Sequence, residues 1–229
     1  MLKVLVTGAK GQLGNEIKTL SIKYPFVFHF TDIEELDITK RQKVDRYVAD
    51  NGIKVIINCA AYNSVDKAET DKRAAKSLNE TAVRYLAQVS AKHGAFLFHF
   101  STDYVFGGNA HIPYKEDCPT FTDSYYAKTK LGGEEDVIEF ANQAMIIRTS
   151  WLYSSHGHNF VKSIIKYAKE RPELNVVYDQ IGTPTYAADL AKVILDIIPE
   201  AIERKGVEIY HYSNEGVASW YDFAKEIID

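Results

Sequence analysis

Hydrophobic and polar positions alternate between two regimes along the first 150 residues. Short apolar, β-branched runs at Leu2–Thr7, Phe26–Thr31, Lys54–Asn58, Ala95–Ser101 and Ala144–Arg148 predict buried strands. Segments with helical spacing separate them. Gly11–Tyr24 places Leu13, Ile17 and Leu20 on one face, and Thr39 is a fair N-cap for a helix that runs to Asp50 and ends at Gly52. A longer helix is expected from Asp71 to Lys92, stopping at Gly94, and another from Asp123 to Phe140. Between strand Ala95–Ser101 and that last helix, Thr102–Thr122 reads as a long loop carrying Gly107, Gly108, Pro113 and Pro119. Strands alternating with helices predict a parallel sheet covered on both faces, a doubly wound α/β core.

Beyond Arg148 the pattern loosens. Trp151–Asn159 is a polar and aromatic loop, Phe160–Glu170 a helix, Asn175–Val177 a short strand, Ala187–Ile202 a helix and Val207–Tyr212 a further strand. Ser219 with Asp222 three residues on forms a capping-box signature for a last helix. The chain ends soon after, without a stop signal, so the sequence reads as truncated at its C-terminus. The expected organisation is a nucleotide-binding domain over 1–150 and a smaller, here incomplete, substrate region over 151–229, partly interleaved with the core.

Composition narrows the class. The chain has 229 residues, 46% hydrophobic and 25% charged, ordinary values for a globular protein. With 27 basic and 31 acidic side chains the net charge is −4, and no dense basic tract suggests a nucleic-acid partner. No apolar run reaches the roughly 18–20 residues of a membrane span, and the amino terminus is too briefly apolar for a signal peptide. Cys59 and Cys118 form neither a CxxC pair nor a disulfide framework. A soluble, cytoplasmic protein is expected, with no metal: His156 and His158 flank Gly157 without further ligands nearby.

Two constellations carry chemistry. Gly8-Ala9-Lys10-Gly11-Gln12-Leu13-Gly14 lies between the first strand and the first helix. Glycines there allow a tight turn, close approach of backbone to a pyrophosphate, and close helix packing, while the helix N-terminus offers N–H groups to phosphate. Asp32, at the end of the second strand, is placed for the adenosine ribose hydroxyls. Glu34, Glu35 and Asp37 crowd the same loop, which tilts the local charge toward NADH over NADPH, and Lys10 offsets part of that tilt. The second constellation is Tyr126 and Lys130, at i and i+4 on one helix face. An ammonium beside a phenol lowers its pKa, and a phenol so tuned can act as general acid to a carbonyl receiving hydride. Thr102, just past the fourth strand, can hold the same carbonyl.

Together these residues resemble the extended branch of the short-chain dehydrogenase/reductase superfamily. Within it the segments Val6–Gly14, Asn58–Tyr62, Ser101–Phe106, Tyr126–Glu134, Arg148–Trp151 and Asp179–Thr185 are similar to the dTDP-4-dehydrorhamnose reductase family, across nearly the whole chain. Ala127 stands where that family usually has glycine, and Gly107 and Gly108 are adjacent where it often has an intervening acid. The resemblance implies an amino-terminal Rossmann domain and catalytic roles for Thr102, Tyr126 and Lys130. It implies NADPH or NADH held by Gly8, Lys10, Gly11, Gln12, Leu13, Gly14, Asp32, Asp37, Ile38, Cys59, Ala60, Ala61, Tyr62, Asn79, Ser101, Tyr126 and Lys130. A dTDP-sugar is then expected against Val65, Thr102, Asp103, Tyr104, Phe106, Tyr126 and Trp151. The reaction so implied is reduction of the C4 keto group of dTDP-4-dehydro-L-rhamnose to dTDP-L-rhamnose, in dTDP-rhamnose biosynthesis; a homodimer is compatible with it. Two alternatives stay open. A sugar-nucleotide dehydratase or epimerase of the superfamily is disfavoured because Tyr104 follows Asp103 where dehydration needs a second carboxylate. A non-catalytic nucleotide-binding subunit is disfavoured because Thr102, Tyr126 and Lys130 are all retained.

Overall fold

The computed structural model describes all residues from Met1 to Asp229. In chain order the first half comprises β1 (Lys3–Thr7), α1 (Gln12–Leu20), β2 (Val27–Thr31), α2 (Arg41–Asn51), β3 (Val55–Asn58), α3 (Val65–Ala68), α4 (Lys72–Lys76), α5 (Ala82–His93) and β4 (Phe96–Thr102). It continues with α6 (Tyr125–Phe140), β5 (Gln143–Thr149), β6 (Leu152–Tyr153), α7 (Phe160–Glu170), β7 (Ile181–Gly182), β8 (Thr185–Tyr186), α8 (Ala187–Ala201), β9 (Gly206–His211), β10 (Ala218–Ser219) and α9 (Trp220–Ile228).

Six strands form one sheet in the order β2-β1-β3-β4-β5-β9, every pair parallel. The chain runs outward from β1 to β2 and then crosses to β3 on the other side. That reversal between β1 and β3 is the switch point at which open α/β sheets bind ligands beyond their strand ends. The continuous apolar strands are explained by burial on both faces. Leu5, Ile56, Leu97 and Ile146 face α2, α5 and α6 through Val44, Val48, Val83, Leu86 and Val137. Val4, Val6, Ile57, Phe98 and Ile147 face α1 and α8 through Leu13, Ile17, Leu190, Ile194 and Ile198. The doubly wound α/β fold expected from the alternation is therefore present. Helix α8 and strand β9 return from the second half of the chain to this core.

Several local expectations are corrected. Asn175–Val177 is no strand; the pairing lies later, Ile181 and Gly182 against Ser219 and Ala218. A run of three residues with half-exposed Val177 has neither a ladder partner nor an apolar face to bury. The expected Asp71–Lys92 helix is interrupted by a π-helical turn at Ser77–Thr81. The N-cap of α2 is Lys40 and not Thr39, because the Thr39 hydroxyl and N–H both donate to Asp37 Oδ1, at 2.6 and 2.9 Å. The Ser219–Asp222 capping box forms as the spacing predicts.

Outside the main sheet, β6 pairs with β8 and β10 with β7. An aromatic cluster holds these small elements to α7 and α9: Trp151 stacks on Trp220 at 3.5 Å, and Phe160, Phe223 and Tyr153 continue the contact.

Candidate active site

The glycine loop turns sharply. Gly8 has φ +62°, and a Cβ on it would lie 2.6 Å from Ala60 N, so only glycine fits where β1 meets the segment after β3. A Cβ at Gly14 would lie 2.5 Å from the Gly8 carbonyl oxygen, which keeps α1 close under the loop. No side chain caps α1, whose N-cap is Gly11. Its first N–H groups have no intrahelical partners, the arrangement that binds phosphate at helix starts.

Around that loop the other candidate cofactor residues converge. Asp32 accepts from Lys10 N–H at 3.0 Å and from Ile33 N–H at 2.8 Å, which ties the end of β2 to the glycine loop. Cys59 N–H donates to Thr7 O and Ala60 N–H to Asn58 Oδ1. Asn79, presented by the π-helical turn, grips the Tyr62 backbone at both ends: Oδ1 accepts from Tyr62 N–H at 2.8 Å and Nδ2 donates to Tyr62 O at 3.0 Å. Ser101 is buried, and its Oγ has no partner within the chain. An orphaned hydroxyl at a strand end, an uncapped helix start and an acid at the tip of β2 together fit a dinucleotide. In the loop after β2, the Asp37 carboxylate accepts from the Thr39 hydroxyl, and Ile38 packs in the core with Val44 and Val48 of α2.

Thr102, Asp103, Tyr104, Tyr126 and Lys130 meet at the end of β4. The Thr102 hydroxyl donates to Asp103 Oδ1 at 3.1 Å and accepts from Tyr104 N–H at 3.2 Å. Ser124 caps α6 by accepting from Ala127 N–H, so the helix starts at Tyr125 and brings Tyr126 to its first turn. Tyr126 is buried, with the half-exposed Tyr104 ring edge-on at 6.0 Å. Lys130, one turn on, is also buried, and its Nζ donates to the Phe100 carbonyl at 2.5 Å.

The electrostatics correct one expectation. Burial pushes the Tyr126 phenol above its usual range, with Asp103 and Tyr104 adding to the rise and only Thr102 opposing it. Lys130 does not offset that rise; its ammonium donates to the Phe100 carbonyl. Burial instead lowers Lys130 to about 8, partly offset by Glu134. Asp103 is raised to about 6 by burial, against its hydrogen bonds with Thr102 and the backbone. Near neutral pH the site therefore holds a protonated phenol and a charged lysine poised to titrate.

Val65, at the start of α3, packs against the small cluster of Ala68, Ala75 and Tyr126. Phe106 is buried, stacked on Tyr114 at 4.4 Å and under the Arg148 guanidinium at 5.1 Å. Trp151, the only non-glycine residue with positive φ at +47°, is held between Trp220 and Gly182.

Sequence reasoning missed the buried polar supports. Arg148 Nη2 donates to Glu134 Oε2 at 2.7 Å and Nη1 to Glu116 O at 3.1 Å, which joins β5, α6 and the loop carrying Tyr104. Thr7, Asn58 and His99 share one row of the sheet. The Thr7 hydroxyl donates to Asn58 Oδ1 at 2.7 Å, and Asn58 Nδ2 donates to His99 Nδ1 at 3.2 Å. Polar residues inside otherwise apolar strands were the available signal.

Comparison with known proteins places this geometry. The family model described as the RmlD substrate binding domain matches residues 2–229. A dTDP-4-dehydrorhamnose reductase from Aggregatibacter actinomycetemcomitans is 41% identical, over 100% of this chain and 79% of its own length. The crystal structure of a dTDP-4-dehydrorhamnose reductase from Clostridium acetobutylicum superposes with a TM-score of 0.94 at 41% identity, covering 99% of this chain and 79% of that one. The Bacillus anthracis dTDP-4-dehydrorhamnose reductase, solved in complex with NADP, gives 0.92 at 40% identity over 100% and 80%.

Proposed function

The chain belongs to the RmlD substrate binding domain family, and from that premise we propose that it is a dTDP-4-dehydrorhamnose reductase, an NAD(P)H-dependent oxidoreductase. It reduces the C4 keto group of dTDP-4-dehydro-L-rhamnose to give dTDP-L-rhamnose. The observation that carries this reading is convergence at one sheet edge. The glycine loop after β1 and the buried Thr102, Tyr126 and Lys130 after β4 all lie at the C-terminal ends of parallel strands, to either side of β3.

NADH or NADPH, when bound, supplies the hydride. Gly8, Gly11 and the start of α1 hold its diphosphate, Asp32 its adenosine ribose, and Ser101 and the Cys59–Tyr62 segment line the channel toward the reacting end. The substrate carbonyl is oriented by the Thr102 hydroxyl and protonated by Tyr126, whose raised pKa keeps the proton available until negative charge develops on the substrate oxygen. Lys130, charged near neutral pH, would hold the nicotinamide ribose through the ammonium donors that the Phe100 carbonyl leaves free. Tyr104 and Trp151 bound the sugar side. Residues 1–150 serve the cofactor and 151–229 the substrate, except that α8 and β9 complete the core.

Oxidation of NADH and NADPH, followed by absorbance with dTDP-4-dehydro-L-rhamnose supplied, tests the proposal. Turnover to dTDP-L-rhamnose is expected with wild-type protein and absent without the keto-sugar. Cofactor binding with no turnover of any dTDP-4-keto sugar would favour a nucleotide-binding subunit instead.

A further inference from the structure

Between Val105 and the start of α6 at Tyr125 the chain forms neither helix nor strand. A loop of that length keeps one position only through its tethers. It begins with Tyr104, which bounds the sugar side in the reading above, and with Phe106, whose ring stacks on Tyr114 at 4.4 Å and lies edge-on to His211 at 5.6 Å. Its base is closed by Phe121 N–H, which donates to Val105 O at 2.8 Å. Its middle is tied down at Glu116, twice. The Glu116 carbonyl accepts from Arg148 Nη1 at 3.1 Å, and its Oε1 accepts from His211 N–H at 3.1 Å. Strand β9, which ends at His211, is an edge of the sheet. Tyr212 N–H donates to Arg148 O across the parallel ladder, so the neighbouring His211 N–H faces the open edge. The carboxylate fills that edge position. Its own N–H, the His211 N–H and the nearby Arg148 charge hold the Glu116 carboxyl below its usual range, so it is an anion at neutral pH.

We propose that Glu116 is a positioning residue for the sugar nucleotide: its carboxylate clasps the open edge of β9 and so sets where the loop carrying Tyr104 and Phe106 lies over the ends of β4 and β5. This inference rests on the reductase reading above. Tyr114 is two residues before Glu116, and its ring is stacked on Phe106, so the clasp fixes both ends of that aromatic pair. Glu116 touches none of Thr102, Tyr126 and Lys130, and losing its side chain leaves the proton donor in place. The contact with Arg148 uses the backbone carbonyl and survives substitution. Removing the carboxylate therefore loosens one tether of two, and the effect falls on sugar binding.

The test compares Glu116→Ala and Glu116→Gln with wild-type protein by steady-state kinetics, NADH titration and amide hydrogen exchange. Glu116→Ala should raise KM for dTDP-4-dehydro-L-rhamnose about threefold to tenfold, the worth of one hydrogen bond, with kcat and NADH affinity within about twofold of wild type. Glu116→Gln keeps an oxygen acceptor for His211 N–H and should recover most of that loss. In Glu116→Ala the His211 amide should exchange faster, while amides of β4 and β5 keep their wild-type rates. An unchanged sugar KM overturns the proposal, and so does a fall in kcat or NADH affinity as large as the rise in KM. A Gln variant as impaired as Ala also overturns it, since charge beside Arg148 and not the edge clasp is then what matters. Unchanged exchange at His211 does the same, and that readout needs no substrate. If wild-type protein turns over no dTDP-4-keto sugar, the reductase reading fails and the sugar role with it, an outcome separate from loss of the clasp at His211.

Discussion

At the scale of single residues, the site is governed by burial more than by the pairing its spacing suggests. Tyr126 and Lys130 were legible from their i, i+4 placement and Thr102 from its strand end, but the direction of the phenol shift was not. Spacing says that two groups share a face; it does not say where a buried ammonium finds its acceptor, here the Phe100 carbonyl. Tyr126→Phe should lower kcat by roughly 10²- to 10⁴-fold, the usual contribution of a positioned acid, while NADH affinity survives. A variant within threefold of wild type in a steady-state assay would place the proton donor elsewhere. The pH profile follows Lys130: with its pKa lowered to about 8, kcat/KM for the cofactor should fall as pH rises through about 8, where the ammonium proposed to hold the nicotinamide ribose is lost. The phenol itself, raised by burial, stays protonated across that range. A profile flat from pH 7 to 9 would exclude this role for the lysine. Asp103 gives a stability counterpart. Its folded pKa of about 6 lies above the ordinary 3.8, so the folded state binds more protons between those values. Stability therefore falls as pH rises from about 4 to 6, and the deficit persists above. Asp103→Asn, which keeps the acceptor for Thr102, should raise stability at pH 7 by about 1–3 kcal/mol. It should also flatten that slope in urea melts at pH 4, 5, 6 and 7.

At the scale of elements, the five strands of the first 150 residues and their intervening helices were readable because each is either continuously apolar or apolar at helical spacing. What escaped was set by partners far away in sequence. The π-helical turn at Ser77–Thr81 has no local signature, yet it presents Asn79 to Tyr62 and Thr129. The link between β5 and α6 was equally hidden: Arg148 and Glu134 are 14 residues apart and both buried, joined by three hydrogen bonds. Through Glu116 O and the Phe106 ring, Arg148 also fixes the loop that begins at Asp103. A buried pair contributes little net stability over apolar residues, but losing one partner strands a charge. Arg148→Met should therefore cost about 3–5 kcal/mol, and adding Glu134→Leu should recover most of that loss. Urea unfolding of both variants is the check; a double variant as unstable as the single one would mean that the packing of Arg148, and not its charge, is what holds α6 to β5.

At the scale of the whole molecule, α1 beside the glycine loop and the segment from β6 to α7 are joined by a polar seam that neither half of the sequence reveals alone. Ser154, from the loop after β6, donates to the buried Glu16 of α1 at 2.6 Å. Asn159 donates from one amide to Gln12 Oε1 at 2.9 Å and to Ser154 O at 2.7 Å, while its Oδ1 caps α7 by accepting from Lys162 N–H. Gln12 Nε2 reaches back to Leu152 O at 3.4 Å. The same side chains thus set the start of α1, the helix proposed to face the cofactor diphosphate, and the start of α7, which packs on α9. Sequence placed Gln12 in the glycine loop and Asn159 at a helix start, but not against each other across 147 residues. Asn159→Ala removes the cap of α7 and the partner of Gln12 together. Loss of the cap alone costs about 1 kcal/mol, and the total should exceed it, at about 2–3 kcal/mol, because buried partners are left unsatisfied. NADH binding should weaken a few-fold, since the first turn of α1 is less ordered. Hydrogen exchange separates this seam from a purely local cap. Amides of both Gln12–Ile17 and Phe160–Ile164 should exchange faster in the variant. Faster exchange confined to α7, with α1 and NADH affinity unchanged, would show that the two sides are held together by the apolar contacts of Trp151 and Trp220 and not by Asn159.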